Sequence, residues 1–189
     1  MRVNDAENAI YEGLLRLDWR PYLAAMWILC GELQTLYAAE FSDAERSLLS
    51  PTMDVVREVA AAGESAQLTR QATELAEAWR DVRNEREPEA SSGLMNVWAT
   101  FEGLVQEIAD ITPRYDGAEW VTNAVTAPWW EADHHNHVPI WLDPNAEVAD
   151  DSPTASTLAL FQHIVVEVAR AKEGDREPRR LRAQIFSDL

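Results

Sequence analysis

The chain holds a single cysteine, Cys30, and a single lysine, Lys172, among 189 residues. One cysteine closes no intrachain disulfide and builds no cysteine-based zinc site, a usage that suits a reducing cytoplasm. Cys30 sits in the apolar run Met26-Trp27-Ile28-Leu29-Cys30 and is expected to pack as a small hydrophobe. A lone lysine in a charged tail argues against Schiff-base or lysine-phosphate chemistry. No apolar stretch approaches the roughly 20 residues that span a bilayer, and the charged start Met1–Glu7 lacks the apolar centre of a signal peptide. The seven glycines are dispersed and form neither phosphate-loop pattern, G-x-G-x-x-G or G-x-x-x-x-G-K, and no G-x-S-x-G elbow occurs. No catalytic residue is assigned, and the expectation is a cytoplasmic protein that does not enter membranes.

What the chain has in excess is acid. Thirty-three acidic against 16 basic residues leave a formal charge of −17, and 47% hydrophobic residues with eight Trp exclude a wholly disordered acidic tail. Such a field repels nucleic-acid backbones and anionic membranes, and it attracts basic proteins and cations. The bias is uneven. From Tyr115 through Ala169 there is no Lys or Arg against nine acids: Asp116, Glu119, Glu131, Asp133, Asp143, Glu147, Asp150, Asp151 and Glu167. The basic tail, 170–189, has the opposite sign, with six bases and four acids. It is expected to be a solvated, partly frayed terminus, with folding back onto the acidic body as the alternative.

Periodicity gives an all-α, single-domain bundle of about six to eight helices. A first helix is expected over Asn8–Leu17, and a second after Pro21 with the face Leu23, Met26, Trp27, Cys30, Leu33, Tyr37. Ser42-Asp43-Ala44-Glu45 matches a capping box that opens a third. Ser50-Pro51 suggests a restart, and Gly63 ends that helix. A peripheral helix over Glu64–Asn84 would pack through Leu68, Leu75, Trp79 and Val82. The Pro/Ser/Gly-rich stretch 85–93 reads as an internal linker. Leu94, Val97, Trp98, Phe101, Leu104, Val105 and Ile108 then form the cleanest amphipathic register, the candidate central helix, closed by Thr112-Pro113. A short helix over Ala118–Val125 precedes a long irregular loop, 127–153, with room for a strand at Val138–Leu142. Ser152-Pro153 opens a helix to about Ala171.

Long loops in compact domains are often functional, and this one carries the sharpest chemistry. Trp129, Trp130 and Glu131 precede Asp133-His134-His135-Asn136-His137. Aromatics rimmed by carboxylates suit capture of a basic protein, the rings supplying buried contact and the acids steering. The candidate contacts are Trp129, Trp130, Glu131, Asp133, Asp150 and Asp151. In an extended segment Asp133, His135 and His137 share a face, a ligand set for a divalent metal such as zinc, with His163 and Glu167 as possible additions. The plainer expectation is a polar surface loop, with His163 on the solvent side of its helix. The Trp-rich helices also leave room for a homo-oligomer.

Trp19, Cys30-Gly31-Glu32 and Tyr37-x-x-x-Phe41, followed by an amphipathic helix and a later Ala/Leu-rich one, resemble the opening of the YjaG-like family of small acidic bacterial all-α proteins. The resemblance covers about the first 110 residues, departs from the family's Cys-Glu-Arg step at Gly31 and Glu32, and implies an all-α fold without any functional residue. In composition the chain is similar to immunity or antitoxin proteins that bind basic toxins. The leading expectation is a non-catalytic module for a basic partner; the alternative is a metal-binding protein or metal-dependent hydrolase built on the histidine loop.

Overall fold

The computed structural model describes residues 1–86, 90–133, 147–172 and 177–187, with the backbone alone for 129–133. Among the described residues there are eight helices: α1 Val3–Leu15, α2 Trp19–Leu36, α3 Asp43–Ala62, α4 Ala66–Arg86, α5 Ser92–Ile108, α6 Gly117–Asp133, α7 Pro153–Arg170 and α8 Pro178–Ser187. The fold is an all-α bundle. The one piece of extended pairing described is an isolated antiparallel bridge between Arg2 and Glu147.

Serine caps open α3, α5 and α7. The Ser42 oxygen accepts from the Glu45 amide while the Glu45 carboxylate accepts from the Ser42 amide, both halves of a capping box. Ser91 and Ser152 accept from Leu94 and Ala155 in the same way, and Pro153 occupies the first turn of α7, where its missing N–H costs nothing. Gly63 ends α3 at φ +95°, a left-handed conformation that only glycine adopts freely.

Buried apolar residues from all eight helices join in one cluster. α5 lies between α4 and α6, and α2 between α3 and α7. The α5 register is buried as expected, from Leu94 to Ile108. The α2 stripe is buried too, apart from a half-buried Trp27. No described helix is long and apolar enough to cross a membrane.

Several expectations are corrected. α3 runs unbroken through Pro51. Pro51 and Ser47 are both exposed, so the carbonyl that loses its donor to Pro51 faces water and the helix need not break. α1 begins at Val3, five residues earlier than expected, because Val3, Ala6, Ile10 and Leu14 already form its buried face. α4 packs through Leu68, Ala72, Ala76 and Trp79, with Leu75 and Val82 only half-buried. α6 extends to Asp133, so the expected loop 127–153 loses its first residues to a helix that continues past Pro128. The physical reason lies in Tyr37. Pro128 removes the amide that the Ala124 carbonyl would accept, and the Tyr37 hydroxyl donates to that carbonyl at 2.6 Å instead.

The basic tail is also more than a frayed end. α8 buries Leu181 and Ile185, one turn apart on one face, each worth about 1.5–3 kcal/mol when removed from water. Arg182 pairs with Glu32 of α2 at 2.6 Å. The tail folds back onto the body, and the supposed strand at Val138–Leu142 lies outside the described residues.

Candidate functional site

The acidic segment begins where α5 turns into α6. Asp116 and Glu119 are exposed there, and neither has an ion pair with a described residue. The segment is described again from Glu147, which lies beside the chain's first residues. Val148 donates its amide to the Met1 carbonyl and accepts from the Met1 ammonium, each at 3.0 Å, while Val3, Val148 and Ala155 form a small apolar cluster. Arg2 approaches Glu147 at 3.6 Å. The fully exposed Asp150 receives the same ammonium at 2.8 Å, and that hydrogen bond and charge hold its carboxyl below the usual range.

Of the proposed partner contacts, Asp150 is thus occupied internally, whereas Asp151 is exposed and without an ion pair among the described residues. The side chains of Trp129, Trp130, Glu131 and Asp133 lie outside the described residues, although their backbone belongs to α6. His135 and His137 lie outside them altogether. Trp120 is half-buried.

The helix placement of Asp133 alters the ligand argument, because its face is set by a helical and not an extended period up to that residue. His163 departs from its expected place on the solvent side. It is half-buried, and its Nε2 is enclosed without a hydrogen-bond partner among the described residues. Glu167, one turn on, is paired with Arg170 at 2.7 Å. Among the described residues no group of three His, Cys, Asp or Glu side chains is placed to hold a metal ion.

A second feature escaped the sequence reading. Glu107, in the last turn of α5, is 2% exposed. Its Oε1 accepts from the Gly117 amide at 2.6 Å and from the Tyr22 hydroxyl at 3.1 Å, while its Oε2 is buried with no hydrogen-bond partner among the described residues. Burial pushes this carboxyl up to about 7, against the pull of the Gly117 and Tyr115 backbone amides and the Tyr22 hydroxyl; the Asp116 charge pushes the same way as burial. Burial, then the Glu107 charge, raises the Cys30 thiol as well, so Cys30 is an inert core residue and no nucleophile. The sequence carries no signal for it: Glu107 falls beside the apolar stripe of α5 and not within it, and only the packing of α2 and α6 against that flank buries it.

Around Glu107 the chain is unusually aromatic. Trp19 stacks on Tyr22 at 5.6 Å, and Tyr22 meets Tyr115 at 4.6 Å. Tyr115 donates to the Leu17 carbonyl at 3.0 Å. Over the outer face, Arg114 lies 4.5 Å from the Trp19 ring, and both donate to Glu64. The turn between α5 and α6 carries two non-glycine residues in the left-handed region, Asp110 at φ 57° and Tyr115 at φ 74°.

Comparison with known protein families, with curated proteins and with solved structures yields no match.

Proposed function

We propose that this protein is a non-catalytic acidic binding module of the immunity or antitoxin kind, acting in a bacterial cytoplasm on a basic protein. The observation that carries the reading is the run from Tyr115 to Ala169, with nine acids and no base. Asp116, Glu119 and Asp151 support it: all three are exposed and unpaired among the described residues, and so available to steer and contact a cationic surface. The inert Cys30 and the absence of recognisable nucleophile or phosphate-loop motifs favour binding over chemistry. Trp129 and Trp130 would supply the aromatic anchors, with Glu131 and Asp133 beside them.

The test is capture of partners from the native lysate at low and high salt, followed by binding measurements on Asp116→Asn/Glu119→Gln/Asp151→Asn and on Trp129→Ala. The expected result is a basic partner whose association slows on the order of tenfold in the triple variant and weakens with salt. A partner held equally at both ionic strengths would overturn the electrostatic reading.

A second reading, a divalent-metal site such as zinc on Asp133, His135 and His137, has one observation in its favour. The enclosed His163 Nε2 has no hydrogen-bond partner among the described residues, and a metal would supply one. Metal content of untagged protein, before and after His135→Ala and His163→Ala, tests it; stoichiometric metal retained in both variants would sink the assignment.

A further inference from the structure

The Glu107 cluster has features that the binding reading does not use. A carboxyl joins the end of α5 to the first amide of α6 and to α2, across a turn held in left-handed conformations at both ends. One of its oxygens is satisfied and the other has no partner among the described residues. Tyr22 and Cys30 face it from α2, and Tyr115 and Asp116 face it from the turn; no described cation does. A negative charge here is therefore held by hydrogen bonds alone, in a site closed over by Trp19, Tyr22 and Tyr115.

We propose that Glu107 is a proton-operated latch on the α5–α6 turn: protonated, it keeps the turn closed, and ionised, it favours an open turn in which water reaches the carboxylate. The argument is one of linkage. The closed state holds the proton up to about pH 7, by burial above all, whereas a hydrated carboxyl releases it near 4.3. Between those two values opening must become easier as pH rises, and above the upper one it levels off. Opening would release Tyr115 and Asp116, the first residues of the acidic segment, so the latch sets how that segment is presented. It stands or falls without any partner.

Hydrogen exchange of the amides of 109–117, corrected for intrinsic rates, tests this at pH 5.5 and 7.5. Protection of these amides is expected to fall on the order of tenfold over that interval in the native protein. In Glu107→Gln, which keeps the Oε1 acceptor without the charge, it should not change. A third protein, Tyr22→Phe, loses the hydroxyl that favours the ionised form, so the transition should move to higher pH. A native protein with pH-independent protection there, or a Glu107→Gln variant with an unaltered pH dependence, would overturn the latch. Should Glu107→Gln fail to fold, an unmoved transition in Tyr22→Phe would do the same.

Discussion

Replacing Tyr37 with Phe removes one oxygen atom and leaves a buried carbonyl without a donor. Tyr37 is 2% exposed and Ala124 is fully buried, and the 2.6 Å bond between them substitutes for the amide that Pro128 lacks. Stranding a buried acceptor of this kind costs about 1–3 kcal/mol, which in a chain of this size lowers the melting temperature by about 2–4 °C per kcal/mol. The cost should depend on Pro128. In Pro128→Ala the helix regains an amide one turn after Ala124, so Tyr37→Phe in that background should cost well under about 1 kcal/mol. Chemical denaturation of the four proteins in the cycle, with unchanged m-values, measures the coupling. Strictly additive effects would refute the claim that the hydroxyl serves the proline-vacated carbonyl. Gly93 belongs to the same device. A Cβ there would lie 2.2 Å from the Tyr37 hydroxyl and 2.8–2.9 Å from its ring, so Gly93→Ala should destabilise, and Tyr37→Phe should relieve only part of the strain.

Arg86→Ala removes the ion-pair partner of the fully buried Glu45, 2.5 Å away; it should cost about 2–4 kcal/mol, largely restored by Glu45→Gln, and thermal melts showing no rescue would argue that Arg86 acts only through its packing on Trp98. Thr52→Val leaves the Trp79 indole N–H, now 2.9 Å from the Thr52 hydroxyl, buried and unpaired; a loss of about 1–3 kcal/mol by urea denaturation is expected. Glu107 makes stability depend on pH in a definite sense. Its folded-state pKa is raised, so its favourable contribution is complete below about pH 4.3 and is lost as pH rises through about 7, a span of about 4 kcal/mol. Glu7, raised by burial, acts in the same direction, so the diagnostic quantity is the difference between the native protein and Glu107→Gln. That difference should favour the variant at pH 8 and shrink towards pH 5.

Much of the helical plan was written in local chemistry. The capping serines at 42 and 152, the terminating Gly63 and the apolar period of α5 each act within a turn or two of their own position, so a sequence pattern suffices to place them. The prolines show where that reasoning stops. Whether Pro51 or Pro128 breaks a helix depends on who receives the orphaned carbonyl, which is solvent in one case and Tyr37, 87 residues away, in the other. The candidate contacts divide in the same way. That Asp150 and Asp151 are acidic, and lie in a segment without bases, is a property of the chain; that an ammonium 149 positions away occupies Asp150 and not Asp151 is not.

The sequence by itself determined the helices, their polarity and the sign of the field around them, because propensity, capping and net charge are local or additive. Only the tertiary structure decided which charges are buried and what they meet. Glu45, Glu102 and Glu107 look like any other helical glutamates in the chain, yet two of them are matched by arginines from α4 and the third has none among the described residues. Desolvation and pairing depend on distance in space, and a helical chain sets those distances only when its helices pack.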